Sequence, residues 1–379
     1  MKRYLRIIAL AGSMLVAVLA ALAWVSTDHP KPAEDVAVAS RSAAPELAPG
    51  QRLKTMSWNV QYLAGKGHVF FYDLPGGDGP DERPAPSEIT QTLRDVARVI
   101  VDEDPDVVLL QEVDRGSRRT DRRDQLAELL ALLPRDYACW AQAYYHRAWF
   151  VPHPRIMGSV GLTVAVISKY RIARAVRHQL PLMPGDPVTR LFNFKRCVLE
   201  ARLPVAGGGE FAVMSTHLDA FAQGGNTMER QVAAVLDMLK TLDDAGVPWA
   251  VGGDFNLLPP GGAYARLAAP QQAYFNPRTE IEPLFARYRS VPSLLEANGG
   301  QRQSWFTHFP NDPAVAGPDR TIDYLFLADN VGLGAHRVRQ ADCMQISDHF
   351  PLVAEITLPE VGQKPPKGKS GDIGSSLLP

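Results

Sequence analysis

The stretch Gly252-Gly253-Asp254-Phe255-Asn256 closes an apolar run that begins at Trp249. A short apolar run that ends in glycine and a carboxylate is typical of a buried β-strand. Polar residues that end such strands meet at one edge of a sheet, where ligand sites usually form. Five further segments have the same character: Ser57–Gln61, Leu109–Val113, Ser215–Asp219, Thr321–Tyr324 and Ser347–Pro351. Together the six segments predict an α/β protein with its functional groups at one sheet edge.

Short β-rich runs alternate with amphipathic helices between residues 51 and 360. Helices are predicted where apolar residues recur at three- and four-residue spacing: Ser87–Asp102, Asp124–Leu133 and Thr227–Ala245. Strands are predicted at the short apolar runs Leu53–Val60, Val107–Gln111, Leu162–Ser168, Arg196–Leu203, Glu210–His217, Trp249–Gly253, Thr321–Leu327 and Leu352–Thr357. Two stretches lack a regular period, residues 65–86 and 257 to about 300, and long loops in a compact enzyme are often functional.

The composition is that of a soluble globular protein. Of the 379 residues, 46% are hydrophobic and 21% are charged, which excludes a mainly disordered, collagen-like or coiled-coil architecture. The 40 basic and 41 acidic side chains argue against nucleic-acid binding through a large positive field. A nuclease that contacts a few phosphates locally is still compatible with this balance. The three cysteines have no metal-binding spacing and are interpreted as core residues.

Residues 1–28 are predicted to lie outside the folded domain. Basic residues at positions 2, 3 and 6 precede the uncharged apolar run Ile7–Val25, whose 19 residues are enough to span a bilayer. The positive flank is expected to keep the N-terminus in the cytoplasm, which predicts export of the remaining chain. Ala21-Leu22-Ala23 also offers a cleavage site, so a signal peptide and a permanent membrane anchor both stay open.

Two segments flank the predicted domain of residues 51–360. Residues 29–50 are rich in alanine, proline and serine and lack a hydrophobic period, which indicates a flexible linker. Residues 361–379 are rich in proline, lysine, glycine and serine, which predicts a disordered tail. The expected product is one periplasmic or otherwise extracytoplasmic domain, tethered by the N-terminal helix or released by cleavage.

The six strand-end segments, taken in their order and spacing, resemble the endonuclease/exonuclease/phosphatase superfamily. This superfamily includes deoxyribonucleases, abasic-site endonucleases, bacterial sphingomyelinases and inositol polyphosphate 5-phosphatases. The resemblance covers roughly Lys54 to Pro359. It implies a four-layer α/β sandwich, in which two packed mixed β-sheets are flanked by helices. It also implies an enzyme that hydrolyses phosphoester bonds with the help of a metal ion.

The resemblance assigns three residues to the metal ion. Asn59 and Glu112 stand at the family's metal-binding strand ends, and Asp348 is an additional ligand of the metal or of its water. Their side chains offer the hard oxygen ligands that Mg²⁺ or Mn²⁺ prefers. Mg²⁺ or Mn²⁺ is therefore the expected cofactor.

Five further residues carry over to catalytic roles. Asp254 would orient and deprotonate the attacking water, and Asn256 would donate to a phosphate oxygen. His349 would contact the phosphate with its ring held by Asp323, since an orienting carboxylate fixes the tautomer. His217 would protonate the leaving oxygen or stabilise its charge. Abasic-site endonucleases carry a tyrosine at this last position, so a base-excision repair enzyme is disfavoured.

Two arginines are expected to bind the substrate. The segment after Glu112 looks like the bacterial metal-dependent hydrolase branch, and five arginines lie between residues 115 and 123. Arg119 is the candidate among them for a phosphate contact. The same run could equally be the solvated start of a helix, balanced by neighbouring aspartates. Arg196 stands where some relatives place a phosphate-contacting arginine.

The insertion at residues 65–86 bears on the substrate because it is aromatic: it contains His68, Phe70, Phe71 and Tyr72. Such a loop either meets lipid, as aromatic loops do in sphingomyelinase-like relatives, or packs onto the sheet. Export and a near-neutral charge favour a lipid head group or small phosphodiester over long duplex DNA. The enzymatic alternatives are an exported nuclease on DNA or RNA and a phosphomonoesterase. The non-enzymatic alternative is a membrane-tethered binding scaffold, and no protein partner is inferred.

Overall fold

The chain folds around two seven-stranded β-sheets. The computed structural model describes residues 2–71, 73–74, 77–220 and 224–360. Its strands are, in chain order, β1 Ala33–Val36, β2 Val38–Ser40, β3 Arg52–Asn59, β4 Val107–Asp114, β5 Cys139–Val151, β6 Gly158–Ser168, β7 Arg174–Gln179, β8 Cys197–Pro204, β9 Glu210–His217, β10 Trp249–Asp254, β11 Arg289–Val291, β12 Asp323–Leu327, β13 Gly332–Val338 and β14 Leu352–Thr357. The first sheet has the order β13-β14-β3-β4-β6-β5-β2, and the second has the order β1-β7-β8-β9-β10-β12-β11. Both sheets are mixed, because β3 pairs with β4 in parallel and β9 pairs with β10 in parallel.

Helices flank the two sheets. They are α1 Lys2–Ser26, α2 Pro86–Glu103, α3 Gln125–Leu132, α4 Pro187–Phe192, α5 Thr227–Asp244, α6 Ala263–Arg266, α7 Ala269–Gln272, α8 Glu282–Arg287 and α9 Leu294–Asn298. The end of α2 is tied to the first sheet, where Lys54 Nζ on β3 donates to the Glu103 carbonyl at 2.7 Å. The end of α5 is tied to the second sheet, where Trp249 Nε1 on β10 donates to Asp243 at 2.8 Å. The four-layer α/β sandwich expected from the resemblance is confirmed.

The two sheets approach each other closely beside the polar strand ends. A Cβ added at Gly252 on β10 would lie 2.9 Å from Leu109 Cδ1 on β4, so a side chain there would push against the opposite sheet. Hydrogen bonds also cross between the sheets. Gln111 Nε2 donates to Ser215 Oγ at 3.0 Å, and the Ser215 hydroxyl donates to the Leu110 carbonyl at 3.2 Å. The ends of β4 and β9 are therefore held at fixed positions relative to each other.

The segment that follows α1 is not the flexible linker that its composition indicated. Ala33–Val36 pairs with β7 and Val38–Ser40 pairs with β5, so β1 and β2 are edge strands of two different sheets. One residue, Ala37, separates them. Pairing with strands far along the chain orders this segment, and local composition carries no sign of such pairing. Residues 33–40 therefore belong to the folded domain, and we call them the N-terminal clasp.

Among the described residues, one helix is long and apolar enough to cross a membrane, Lys2–Ser26. None of its residues is buried against the domain. The chain joins the domain directly after this helix, where Thr27 forms a β-bridge with Ala148 and the Asp28 amide donates to the Arg147 carbonyl at 3.2 Å. The tail predicted at residues 361–379 lies outside the described residues.

Most of the predicted elements are present. β9 and β14 have the predicted bounds, and α2, α3 and α5 begin and end within one residue of theirs. β4 runs on to Asp114, and β12 begins at Asp323 rather than at Thr321. The stretch after Asn256, which has no regular period, contains four short helices, α6 to α9. Six strands were not predicted: β1, β2, β5, β7, β11 and β13.

The aromatic insertion between β3 and α2 packs onto the domain. His68 and Phe70 are buried, with 7% and 3% of their surface exposed. Phe71 stacks on His153 of the β5–β6 hairpin, with ring centroids 4.8 Å apart. Tyr72 lies outside the described residues. For the three described aromatics, the structure agrees with the packed interpretation of this loop and not with the lipid-facing one.

Candidate active site

The polar strand ends line a cleft of about 360 Å³ at one edge of the sandwich. Of the eight residues predicted for the metal ion and for catalysis, six line the cleft itself: Glu112, His217, Asp254, Asn256, Asp348 and His349. The other two lie directly behind them, since Asn59 donates to Asp254 and Asp323 contacts His349. All eight residues assigned to the metal and to catalysis are therefore in one place.

Two strands of the second sheet, β9 and β10, end at the same level, and the neighbouring antiparallel strand β12 begins there. Asp254 on β10 is the register partner of both His217 on β9 and Asp323 on β12. Since adjacent strands lie about 4.8 Å apart, backbone pairing alone brings these side chains together. The adjoining Gly253 allows this pairing, because an added Cβ would lie 1.9 Å from the Thr216 carbonyl oxygen.

His349 is held between two carboxylates. Its Nδ1 lies 2.9 Å from Asp323 Oδ2, and its Nε2 lies 3.6 Å from Asp254 Oδ2. Trp58 Nε1 donates to the His349 carbonyl at 2.9 Å, which ties this segment to β3. Burial lowers the pKa of His349, but Asp323 and Asp254 more than offset this effect and leave the pKa well above that of free imidazole. The ring therefore presents a positive charge to the cleft.

Asp254 is buried and surrounded by hydrogen-bond donors. Its Oδ2 accepts from Asn59 Nδ2 at 3.0 Å and lies 3.3 Å from His217 Nε2. Its Oδ1 accepts from the backbone amide of Asn256 at 2.9 Å. Asn256 has a left-handed φ of 53°, a conformation that asparagine tolerates. Burial raises the pKa of Asp254 to about 7, which suits a carboxylate that must accept a proton.

His217 is the neutral counterpart of His349. Its Nδ1 lies 3.4 Å from the hydroxyl of Tyr145. Burial, and then the positive charges of Arg196 and His349, lower the pKa of His217 well below that of free imidazole. Two histidines on either side of one carboxylate thus have pKa values pushed in opposite directions. Such separation is the usual sign that two groups have different acid–base roles.

A β-bulge in β4 directs Glu112 into the cleft. The register between β4 and β6 shifts between Leu110 and Val113, and Glu112 has a left-handed φ of 56°. For a residue other than glycine, such a conformation costs about 1–3 kcal/mol, and bulges often re-aim a side chain beside an active site. The carboxylate accepts from Asn59 Nδ2 at 3.1 Å. Burial, and then the charge of Asp348, raise the pKa of Glu112.

Asp348 lies beside a second histidine. His308 Nε2 is 3.8 Å from Asp348 Oδ2, and Asn311 Nδ2 donates to the same oxygen at 3.4 Å. Ligand atoms of His308, Asp348 and His349 all lie within 4.8 Å of one another. Burial raises the pKa of Asp348, but His308 and His349 lower it by more, so the carboxylate is ionised.

The side chains in this part of the cleft supply ligand atoms that suit a hard divalent cation. Glu112 and Asp348 supply carboxylate oxygens, and their mutual repulsion would be relieved by a bound cation. Gln61 contacts two of the predicted metal ligands. Its backbone amide donates to Asn59 Oδ1 at 3.0 Å, and its Oε1 accepts from the backbone amide of Asp348 at 3.1 Å. The residues present are therefore suited to Mg²⁺ or Mn²⁺ by their chemistry.

Arg196 lines the cleft from the start of β8. Its Nε donates to Asp219 Oδ1 at 3.1 Å, and its guanidinium lies 4.4 Å from the ring centroid of Phe194 and 4.7 Å from that of Tyr145. The side chain is 6% exposed, and its Nη1 has no hydrogen-bond partner in the part of the chain that the structure describes. A buried guanidinium nitrogen with unused donors is suited to an anionic ligand.

Arg119 has a different position. Its Nε and Nη2 donate to the two carboxylate oxygens of Asp114 at 2.9 and 3.1 Å, and its guanidinium lies 3.4 Å from the Tyr62 ring centroid. It lines a smaller neighbouring pocket, which shares Leu162 with the cleft. The structure does not bring Arg119 into the lining of the cleft, and its contact with substrate stays a prediction.

Asp73 and His308 are among the cleft residues that were not predicted from the sequence. Asp73 enters the cleft from the aromatic insertion, where burial, and then the charges of Asp348 and Glu112, raise its pKa well above the usual value. His308 lies against His349, with ring centroids 4.4 Å apart. Neither residue ends a predicted strand. The alternation Thr307-His308-Phe309, with its buried threonine, is the one local signal that could have pointed to His308.

Comparison with known proteins gives one family match. A sequence model described as the endonuclease/exonuclease/phosphatase family matches residues 56–349. A search of curated proteins finds no match. Among solved structures, an endonuclease/exonuclease/phosphatase from Beutenbergia cavernae DSM 12333 is 24% identical, with a TM-score of 0.53 over 82% of this chain and 72% of that chain.

Two other solved structures are more distant in sequence. The human Nocturnin catalytic domain with bound sulfate anion is 17% identical, with a TM-score of 0.50 over 85% of this chain and 96% of its own. A family protein from Leptotrichia buccalis C-1013-b is 15% identical, with a TM-score of 0.52 over 80% of this chain and 99% of its own. At these identities the structural matches show a shared fold.

Proposed function

Because the chain belongs to the endonuclease/exonuclease/phosphatase family, whose members hydrolyse phosphoester bonds, we propose that it is a Mg²⁺- or Mn²⁺-dependent phosphodiesterase. Its substrate is a lipid head group or another small phosphodiester outside the cytoplasm. The proposal rests mainly on the surroundings of the buried Asp254. This carboxylate lies between a charged His349 and a neutral His217, and Asp323 contacts the His349 ring. This arrangement supplies a base and two groups for the charges of phosphoester hydrolysis.

Asp254 acts as the base. Its carboxylate lines the cleft, and Asn59 and the Asn256 amide hold it in one orientation. With a pKa of about 7, it takes the proton of a water molecule as the water oxygen attacks phosphorus. Asn256 Nδ2 donates to the Leu218 carbonyl at 3.2 Å, which leaves its second N–H for a phosphate oxygen.

The two histidines act on the substrate from either side. His349 offsets the negative charge that grows on the phosphate oxygens, and Asp323 keeps the ring in one orientation. His217, which is neutral, stabilises the charge on the leaving oxygen. Arg196 binds a phosphate oxygen through Nη1, which has no hydrogen-bond partner among the described residues.

Asn59, Glu112 and Asp348 would hold the metal ion. When bound, Mg²⁺ or Mn²⁺ polarises the phosphate and stabilises charge in the transition state. The bulge in β4 gives Glu112 an orientation that a regular strand would not allow. His308 and Gln61 keep Asp348 in place.

The walls of the cleft favour a small or lipid-linked substrate. Much of the lining is apolar: Leu162, Met183, Phe194, Phe275 and Ile322. Such a surface suits a substrate with an apolar part beside its phosphate better than the uniformly charged backbone of a duplex. The net charge of −1 supports the same preference, since long nucleic acids are usually held by many basic side chains.

An activity panel tests the proposal. The full chain is assayed with Mg²⁺, Mn²⁺ or EDTA on sphingomyelin, glycerophospholipids, a bis-aryl phosphodiester, an aryl phosphomonoester, plasmid DNA and RNA. We expect metal-dependent hydrolysis of the bis-aryl phosphodiester and of at least one lipid. Faster turnover of DNA, RNA or the phosphomonoester would contradict the substrate class, and inactivity on every substrate would favour a binding scaffold. An identical preparation of Asp254→Asn controls for contaminating hydrolases.

The extracytoplasmic location is tested separately. The motivation is the basic flank before the apolar run of α1. A reporter that is active only outside the cytoplasm, fused after Pro359, is expected to be active, whereas activity of a cytoplasm-only reporter would refute export. Mass spectrometry of the mature protein then distinguishes the two cases. A chain that starts at Trp24 indicates cleavage after Ala23, and an intact Met1 indicates a permanent anchor.

A further inference from the structure

The tip of the β5–β6 hairpin carries large apolar side chains in contact with solvent. We call Trp149, Phe150 and Met157 the apolar tip. Trp149 is 77% exposed, and the other two are 44% and 48% exposed. Single exposed apolar residues are common on soluble proteins, but three large ones on one hairpin, with tryptophan among them, indicate an interaction surface.

A second bulge explains why two adjacent residues both face outward. In a regular strand successive side chains alternate, so either Trp149 or Phe150 would point toward the sheet. The register with β6 shifts here, because Ala148 pairs with Val160 whereas Val151 pairs with Gly158. The flanking residues Ala148 and Val151 are buried. The bulge therefore presents both aromatic rings to the outside while the strand stays anchored on either side.

The apolar tip lies where α1 leaves the domain. Thr27, directly after α1, bridges Ala148, the residue before Trp149. The Asp28 amide donates to the Arg147 carbonyl, so two consecutive residues fix the end of the helix against β5. The 25 residues of α1 are long and apolar enough to cross a bilayer. A membrane that held α1 would therefore meet the domain at the hairpin.

We propose that the apolar tip docks on the surface of a phospholipid bilayer beside α1. The proposal rests on the second of the two cases above, in which α1 is kept as a permanent membrane anchor. Tryptophan and phenylalanine are well suited to this position, because their rings bury apolar surface at the boundary between head groups and acyl chains. With α1 as the first attachment and the tip as the second, the domain is held in one orientation on the bilayer.

Docking at the tip brings the cleft close to the lipid surface. His146 lies three residues before Trp149 on β5, a distance of roughly 10 Å along a strand. It is the register partner of Leu162, which lines the cleft. His146 Nε2 also lies 2.9 Å from the Phe192 carbonyl, two residues before Phe194 of the cleft wall. The tip thus positions the active site beside the phosphates of head groups, which deepens the proposal of a lipid substrate.

The test uses tryptophan fluorescence of the full chain in vesicles of phosphatidylcholine and phosphatidylglycerol. Flotation on a density gradient first shows whether α1 carries the chain into the bilayer. The difference between wild type and Trp149→Phe isolates the emission of Trp149 from that of the other tryptophans. Iodide then quenches emission from the water side, and phosphatidylcholine brominated near the head-group end of its acyl chains quenches emission from the lipid side.

The control adds Leu295→Trp to the Trp149→Phe chain. Leu295 is 82% exposed on α9. Glu296, the next residue, pairs with His336 on β13, at the edge of the first sheet that is remote from β5. In vesicles, we expect iodide to quench Trp149 several-fold less than the tryptophan introduced by Leu295→Trp, and brominated lipid to quench Trp149 but not that introduced tryptophan.

Three results would overturn the proposal. A chain that does not float removes its premise. If the chain floats but iodide quenches Trp149 as strongly as the tryptophan introduced by Leu295→Trp, the tip faces water. A Trp149 protected from iodide but untouched by brominated lipid shows that protein, for example a second copy, covers the tip. None of these readouts depends on turnover, so they distinguish failure of docking from failure of the proposed activity.

Discussion

Asp254→Asn is expected to lower kcat by roughly 10²–10⁴-fold, the range usual for a positioned acid or base. Asparagine keeps the shape of the side chain, and its Oδ1 can still accept from the Asn256 amide, but it cannot take a proton from water. The fold should stay intact, because asparagine has the same size and the change removes a buried ionisable group, although the amide nitrogen in place of Oδ2 loses the hydrogen bond from Asn59. The measurement is kcat on a bis-aryl phosphodiester at saturating Mg²⁺, with a thermal melt to verify folding.

The same experiment shows whether Asp254 and His349 work together. His349→Ala should cost a similar factor, and the double variant should be scarcely worse than the poorer single one, because both groups act in one transition state. Asp323→Asn should lose less than His349→Ala, since the imidazole remains but loses its orienting carboxylate. Asp237→Asn, at an exposed position on α5, is the matched control and should be fully active. If the fold-losses in kcat of the two single variants multiply in the double variant, Asp254 and His349 do not act in one site.

Glu112→Gln is expected to lower activity by roughly 10²-fold or more and to move the Mg²⁺ titration to higher concentration. The glutamine oxygen can still accept from Asn59, so the change removes the charge and keeps the local hydrogen bond. Chelation with EDTA should abolish the activity of the wild type. Glu229→Gln, at an exposed position on α5, should behave like wild type in both assays. Full activity of the wild type after exhaustive chelation would refute metal dependence.

Thermal melting gives a readout of the metal site that does not depend on turnover. Binding of Mg²⁺ to the folded state stabilises it, by about 2.7 kcal/mol at a concentration of one hundred times Kd. The wild type should therefore melt at a higher temperature with Mg²⁺, and Glu112→Gln should show little of this gain. In EDTA the variant should be at least as stable as wild type, because it removes the repulsion between two partly buried carboxylates, Glu112 and Asp348. An equal rise in melting temperature with Mg²⁺ in wild type and in Glu112→Gln would show that Glu112 does not bind the metal.

The residues of the candidate site could be predicted from the sequence because they lie at or close to the ends of strands. His217 and Asp254 follow apolar runs whose bounds are readable, and backbone pairing then brings the strand ends together. The same reasoning explains why β9 and β14 were predicted residue for residue. Asp323 and His349 were paired through the resemblance, and the 2.9 Å contact between them agrees with that pairing.

Elements that depend on distant contacts could not be predicted in this way. β5 is the longest strand described, but its inward positions include Ala141 and Ala143, and alanine has little preference for strands. β1 and β2 have no strand signal of their own and are ordered by β7 and β5. Asp73 and His308 reach the cleft from loops whose path depends on the finished fold.

The N-terminal clasp limits how the protein can be shortened. A chain that began at residue 51 would lack β1 and β2, and the outer edges of β7 and β5 would be left with unpaired backbone groups. Open strand edges are templates for pairing between molecules, so such a fragment would tend to aggregate. Cleavage after Ala23, in contrast, would leave both strands in place. Removal of a signal peptide is therefore compatible with a soluble secreted enzyme, whereas a cut beyond the clasp is not.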